Sequence, residues 1–368
     1  MLILQLLAGL VLLVLGADAL VRGASRIAAA LGLSPLVIGL TVVAFGTSTP
    51  ELAVSLDAAS SKESEVVVGN VVGSNIFNIL VIAGLAALVR PLSVARNIIR
   101  IDIPLMIMVS VALLLLGLDG TIGRLEGALL VLALVVYTGL QVRAGRRAVG
   151  KEANGKVTSA RTIPWWLISA GLILGGLFFL VIGSDYLVDS SVTMAHHLGL
   201  SELIIGLTIV AAGTSLPELA TSVMASIRRE SDIAVGNVVG SNIFNILGVL
   251  GITATIVPGG ASIPSPALWF DIPVMLAVAL TFLPLALTGR SISRGEGLCL
   301  LIYYVVYVGF LIQAATWRRS GAEPTLALVF LLAPPLLLTV VVSLRGWWSM
   351  RADALREPRA PGSGPPPG

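Results

Sequence analysis

Gly39-Leu-Thr-Val-Val-Ala-Phe-Gly-Thr-Ser-Thr-Pro-Glu51-Leu-Ala is written a second time in this chain, as Gly206-Leu-Thr-Ile-Val-Ala-Ala-Gly-Thr-Ser-Leu-Pro-Glu218-Leu-Ala. A second block, Val68-Gly-Asn-Val-Val-Gly-Ser-Asn-Ile-Phe-Asn-Ile-Leu80, returns without a change as Val235 to Leu247, at the same offset of 167 residues. The match thins outward but persists. Gly16-Ala-Asp18 pairs with Gly183-Ser-Asp185, and, after a small insertion, Asp102-Ile-Pro104 with Asp271-Ile-Pro273 and Arg124/Glu126 with Arg294/Glu296. Thirteen consecutive identical residues exclude chance, so the chain is two copies of one unit.

The material of each copy is apolar. Of 368 residues, 56% are hydrophobic and 12% charged, with a mean hydropathy of +0.99. Soluble domains carry about 25% charged residues, so a soluble globular protein and a disordered chain are excluded. The net charge of +3 is too small for a nucleic-acid partner. One cysteine, Cys299, rules out a disulfide framework and a cysteine metal cluster, and the two histidines, His196 and His197, do not make a zinc site. The partner that remains is the lipid bilayer.

A helix needs about 20 apolar residues to cross a ~30 Å hydrocarbon core. Eleven stretches qualify: 2–21, 34–57, 65–89, 101–118, 124–142, 165–188, 201–226, 233–257, 267–288, 295–315 and 325–344. The first lacks a basic leader and a cleavage site and reads as a retained helix. The last contains Pro334-Pro335 and is expected to kink. Nineteen of the 23 lysines and arginines fall on one side of this arrangement; only Lys62, Arg124, Arg318 and Arg319 fall on the other. Bases favour the cytoplasm, which puts the amino terminus outside, with the 143–163 loop and the Pro/Gly-rich tail inside.

Five segments per copy is an odd number, so the second copy enters the membrane upside down relative to the first. The expected architecture is an all-α polytopic membrane protein with an inverted-topology repeat of five plus five helices and an eleventh C-terminal helix. Its parts are residues 1–142 (first repeat), 143–163 (basic loop), 164–315 (second repeat) and 316–368 (extra segment and disordered tail). Such repeats place a central site that either face can reach in turn.

Glu51 and Glu218 lie deep in apolar spans with no lysine or arginine nearby. An intramembrane carboxylate costs at least ~2.5–3.5 kcal/mol and demands a partner, a cavity or an ion. Pro50 and Pro217 cannot donate to the carbonyls of Gly46 and Gly213, which are freed. Thr47 and Thr214 at i−4, and Ser48 and Ser215 at i−3, share the face of each glutamate. Asn70, Ser74 and Asn78, like Asn237, Ser241 and Asn245, form a polar stripe at i, i+4, i+8. These are hard oxygen donors, suited to Na⁺ or Ca²⁺ and not to zinc or copper. Two ionised glutamates balance one Ca²⁺, and mutual exclusion of two ion types on shared ligands yields antiport. No nucleotide-binding motif and no cofactor motif is present.

The paired GTS-x-PEL and GN-x-x-GSNIFN blocks resemble the two alpha repeats of the cation/Ca²⁺ exchanger superfamily, over residues 1–315. The resemblance implies ten core helices and no enzymatic activity. It implies transported Ca²⁺ and Na⁺, and cation ligands at Thr47, Ser48, Glu51, Ser74, Thr214, Ser215, Glu218 and Ser241. It adds the backbone carbonyls of Ala44 and Ala211, with Asn78 and Asn245 at the remaining central positions. Helices 1 and 6, carrying Asp18 and Asp185, would slide across the core to alternate access. Some relatives have an acid where this chain has Asn245, which argues against potassium coupling. The short 143–163 loop leaves no room for a large regulatory domain. The resulting expectation is a multi-pass inner-membrane antiporter expelling Ca²⁺ against Na⁺. H⁺-coupled Ca²⁺ exchange, or Na⁺/H⁺ exchange, on the same glutamates is the alternative.

Two rival readings fail on the same residues. An intramembrane hydrolase would need a motif such as HExxH, which is absent, and a non-transporting scaffold has no use for carboxylates at mid-membrane. Asp102, Asp271, Glu126 and Glu296 read as helix caps or interfacial anchors. Asn75 and Asn242 read as structural, Asp57 as a solvated helix end, His196-His197 as part of an external turn, and Trp165-Trp166 and Trp347-Trp348 as interfacial anchors.

Overall fold

The computed structural model describes residues 2–61, 64–152, 163–197 and 211–320. The first repeat is α1 (Leu2–Leu31), α2 (Pro35–Thr47), α3 (Thr49–Ser60), α4 (Val66–Val89), α5 (Ile98–Asp119) and α6 (Arg124–Glu152). The second is α7 (Ile163–His197), α8 (Ala211–Gly213), α9 (Leu216–Ile227), α10 (Ser231–Ile256), α11 (Ala267–Leu287) and α12 (Arg294–Ser320). Among the described residues, eight helices are long and apolar enough to cross a membrane, and the bent pair α2–α3 is a ninth span. The expected eleventh segment, 325–344, and residues 201–210 of the seventh lie outside the described residues.

Helix ends depart from the apolar boundaries. Hydropathy falls off at 21 and at 142, but α1 runs on to Leu31 and α6 to Glu152, so the first part of the expected 143–163 loop is helical. The backbone needs helix formers to continue, not apolar ones, and Arg, Ala and Lys supply them. The single span expected at 34–57 is broken at Ser48 by 40°. Pro50 removes a donor at the start of α3, and the break falls two residues before it.

Two short antiparallel pairs settle the relation of the copies. β1 (Leu92–Ser93) follows α4 and pairs with β4 (Ser291–Ile292), which follows α11; β2 (Thr121–Ile122) follows α5 and pairs with β3 (Ala261–Ser262), which follows α10. A loop after the third span of one copy thus meets a loop after the fourth span of the other. Those loops share a side only if one copy is inverted.

The crossing of α1 and α7 obeys the same pseudo-two-fold. A methyl built on Gly9 would sit 2.8 Å from the carbonyl of Gly183, and one on Gly183 2.8 Å from that of Gly9. Gly16 and Gly176 make the equivalent reciprocal contact, again at 2.8 Å. Gly9 and Gly176, and Gly16 and Gly183, are repeat partners, so the two backbones touch where no side chain could fit. Gly236 and Gly240 let α10 press on Leu36 and Leu40 of α2 in the same way. Among the described spans α4 and α10 are the most deeply buried, and α10 is buried throughout its most apolar stretch.

Glu126 and Glu296 cap their helices as expected. Gly123 N donates to Glu126 Oε2 and Ser293 N to Glu296 Oε2, both at 2.7 Å. Arg124 and Arg294 donate to the last carbonyls of the neighbouring α10 and α4. Asp102 and Asp271 are not caps. Asp102 is buried and accepts from Tyr137 (3.0 Å) and Gln141, and Asp271 accepts from Tyr307 at 3.3 Å. Tyrosines one helix away supply the compensation that an exposed helix end would have obtained from water.

Candidate functional site: a dry cluster of hard oxygen donors

Ser48 and Ser215 stand at the N-cap positions of α3 and α9, three residues before the glutamates. Ser-x-x-Glu at a helix start ordinarily forms a local capping box. Here neither serine caps its own helix. Ser48 Oγ donates to Glu218 Oε1 at 2.8 Å, and Ser215 Oγ to Glu51 Oε1 at 2.9 Å. The motif is exchanged between repeats, so each carboxylate is held by the other copy's hydroxyl. Glu51 and Glu218 are each only 1% exposed. Both lie in the first turn of their helices.

A second exchange anchors the threonines. Asn70 Nδ2 donates to the Glu51 carbonyl and to Ser55 Oγ, both at 3.0 Å; Asn237 Nδ2 donates to the Glu218 carbonyl (3.3 Å) and Ser222 Oγ (2.9 Å). The amide oxygens face the opposite copy, with Thr214 Oγ1 3.5 Å from Asn70 Oδ1 and Thr47 Oγ1 3.2 Å from Asn237 Oδ1. Thr47 also lies 3.1 Å from the Val43 carbonyl and 3.5 Å from that of Ala44, so its single proton chooses among three acceptors. The sequence groups Asn70 and Asn237 with the hard oxygen donors of the polar stripe. The structure makes them clamps between α4 and α3, and between α10 and α9. The signal was their spacing of 19 residues from each glutamate, which means little without the tertiary fold.

Asn75 joins α4 to α10, donating to the Asn242 carbonyl at 3.3 Å and accepting from Asn245 Nδ2 at 3.1 Å. Its structural reading therefore stands, whereas the side chain of Asn242, read the same way, has neither polar atom partnered. Asn78 and Asn245 open π-helical turns, Asn78–Ala83 and Asn245–Leu250. Widened turns of this kind loosen the backbone ladder and recur at functional sites. Nothing local in Asn-Ile-Leu announces one.

The decisive feature is what stays unpaired. Buried polar atoms in folded proteins find partners with few exceptions. Here Glu51 Oε2, Glu218 Oε2, Ser74 Oγ, Ser241 Oγ, Asn245 Oδ1 and both polar atoms of Asn78 have none. All belong to the elements tied together by the exchanged bonds. No group of three or more His, Cys, Asp or Glu exists among the described residues. The donor set is thus two carboxylates with neutral hydroxyl and amide oxygens, which fits a hard cation.

The backbone donors differ between the copies. The Ala44 carbonyl accepts the Ser48 N–H at 3.0 Å and lies 3.5 Å from Thr47 Oγ1. Ala211 opens α8. Of the two carbonyls freed by proline, that of Gly213 accepts from Ser184 Oγ of α7 at 2.7 Å. The repeat partner of Ser184 is Ala17, which has no hydroxyl to offer Gly46.

Known proteins align with this arrangement over nearly its whole described length. The family model "Sodium/calcium exchanger protein" matches residues 1–143 and 168–313. Inner membrane protein YrbG of Escherichia coli is 39% identical over 315 residues, covering 83% of this chain and 95% of that protein. Sodium/calcium exchanger MaX1 of Methanosarcina acetivorans is 35% identical over 345 residues, covering 82% and 96%. A solved structure of the sodium-calcium exchanger NCX_Mj superposes with a TM-score of 0.73 at 31% identity, covering 84% of this chain and 99% of the other. The inverted halves, the exchanged Ser–Glu bonds and these matches lead to one conclusion: the chain is a polytopic membrane protein of the sodium/calcium exchanger family.

Proposed function

We propose that the protein is a secondary cation antiporter of the cell's inner membrane that moves Ca²⁺ out against Na⁺ by alternating access. The observation that carries this reading is the set of unpaired carboxylate, hydroxyl and amide oxygens at the α3–α4–α9–α10 junction. We assign the ligands to Glu51, Glu218, Thr47, Thr214, Ser48, Ser215, Ser74, Ser241, Asn78, Asn245 and the carbonyls of Ala44 and Ala211. Ca²⁺ takes 6–8 oxygens and sheds water more readily than Mg²⁺, and two glutamates neutralise it. When Ca²⁺ leaves, the same carboxylates hold Na⁺, so the ions exclude one another and the fluxes couple. Na⁺ coupling is favoured over K⁺ because the site holds two acids, with Asn at both 78 and 245. Relatives called sodium/calcium exchangers are consistent with the choice.

Uptake of ⁴⁵Ca²⁺ into proteoliposomes loaded with Na⁺, choline or acid tests it. Uptake driven by internal Na⁺ alone is expected. Uptake driven only by the proton gradient would transfer the site to H⁺-coupled exchange, and no uptake under any gradient would remove Ca²⁺ as the cargo.

A further inference from the structure

Away from the glutamates, a cavity of about 450 Å³ opens between α1, the start of α7 and the turn after α9. Three guanidiniums line it: Arg22 and Arg26 of α1, and Arg228 beyond the end of α9. Arg22 Nη2 lies 2.8 Å from Asp18 Oδ2, and Arg228 takes the other oxygen of the same carboxylate through Nε (2.5 Å) and Nη2. One acid thus serves two bases. Arg26 makes no ion pair among the described residues. Glu230 also lines the cavity, so with Asp18 the pocket counts three positive charges against two negative. Each guanidinium carries five N–H donors. The side chains of Arg22 and Arg228 remain 56% and 31% exposed, so several donors point into open space.

Two further features specify what those donors await. Ser25 Oγ, on the same wall, is fully buried and has no partner. The opposite wall is apolar, formed by Ile168 and Leu172 of α7, and Ile168 is 56% exposed on the outer face of the bundle. Trp165 and Trp166, one turn earlier, mark this end of α7 as the interfacial level. A phosphate surrounded by arginines and a hydroxyl makes charge-assisted, fork-like bonds. The adjoining apolar wall accommodates a hydrocarbon chain, which a free anion does not possess.

We propose that this cavity is a binding site for the phosphate headgroup of an anionic phospholipid, with one acyl chain lying along Ile168 and Leu172. Basic pockets between membrane helices are known to hold such headgroups. The site sits on the tie between α1 and α9, the helix whose first turn carries Glu218, so its occupant touches the elements that flank the cation cluster.

The test is native mass spectrometry of the full chain in detergent, titrated separately with dioctanoyl phosphatidylglycerol, dioctanoyl phosphatidylcholine and inorganic phosphate. Phosphatidylglycerol is expected to bind at least about tenfold more tightly than phosphatidylcholine. That preference should fall about tenfold in the Arg22→Gln/Arg26→Gln double variant. Ile168→Trp, an outward-facing change that leaves every charge in place, should weaken phosphatidylglycerol as well. Equal binding of the two lipids, or wild-type binding by both variants, would overturn the proposal. Displacement of phosphatidylglycerol by equimolar inorganic phosphate would overturn the lipid in favour of a soluble anion.

Discussion

Replacing Ser215 by alanine probes the exchange of hydroxyls between repeats. In the native structure Glu51 has one partnered oxygen, Oε1, bonded to Ser215 Oγ at 2.9 Å, and one unpartnered oxygen, Oε2. The variant leaves both oxygens of a buried carboxylate without a side-chain donor and free to rotate away from the cluster. A hydrogen bond to a charged group contributes about 1.5–3 kcal/mol, which converts to about 10–150-fold in ion affinity. Ser48→Ala removes the matching 2.8 Å bond to Glu218, from an equally buried serine. The two variants should therefore raise the apparent half-saturating Ca²⁺ concentration by similar factors, within about threefold of each other. The assay is ⁴⁵Ca²⁺ uptake into Na⁺-loaded proteoliposomes over a Ca²⁺ titration, with a melting curve to confirm folding. A change below about twofold in either variant, with the other strongly impaired, would refute the claim that the exchanged bonds orient both carboxylates alike.

Glu51→Gln and Glu218→Gln should each abolish Ca²⁺ flux while the protein remains folded, since the shape is kept and only the charge is lost; wild-type flux in either would sink the central site. At 100 times its dissociation constant, Ca²⁺ should stabilise the native protein by about 2.7 kcal/mol, seen as a rise in Tm that both glutamine variants lack. Asn245→Asp replaces an amide that donates to Asn75 Oδ1 with a group that donates only when protonated, so flux should become more steeply pH-dependent than in the wild type. An unchanged pH profile would remove Asn245 from the coupling. Gly16→Ala places a methyl 2.8 Å from the Gly176 carbonyl and 2.9 Å from Leu180 N; overpacking of this kind costs about 1–3 kcal/mol, and differential scanning calorimetry should show it as a lower Tm.

Much of this was legible because membrane proteins expose their logic in composition. A run of apolar residues is a span, a repeat with five spans is inverted, and a glutamate inside a span must be compensated. Those rules reached the all-α inverted-repeat plan and singled out the two carboxylates, Glu51 and Glu218. They reached Ser48 and Ser215 as neighbours on a helical face, but not the swap, because a Ser-x-x-Glu motif looks the same whether it bonds itself or its counterpart. The π-helical turns at Asn78 and Asn245 were invisible for a similar reason: widening depends on what packs around the turn. Of the two readings the sequence offers for Asp102, cap or interfacial anchor, the cap fails because its partners, Tyr137 and Gln141, lie 35 and 39 residues away. The Asp18–Arg228 tie spans 210 residues and has no counterpart in the repeat, where Ser61 stands in place of Arg228, so self-similarity could not reveal it.

The two small strand pairs join some helices of the two repeats directly and leave others outside that join. They stitch one repeat to the other at both faces, and every helix they join belongs to α4, α5, α6, α10, α11 or α12. Neither α1 nor α7 is stitched. Those two helices touch each other backbone to backbone at four glycines, so a displacement of one is a displacement of both. On the alternating-access reading proposed above, α1 and α7 would move as one body, uncovering one mouth only by covering the other, so that leak would require the pair to be in two places at once.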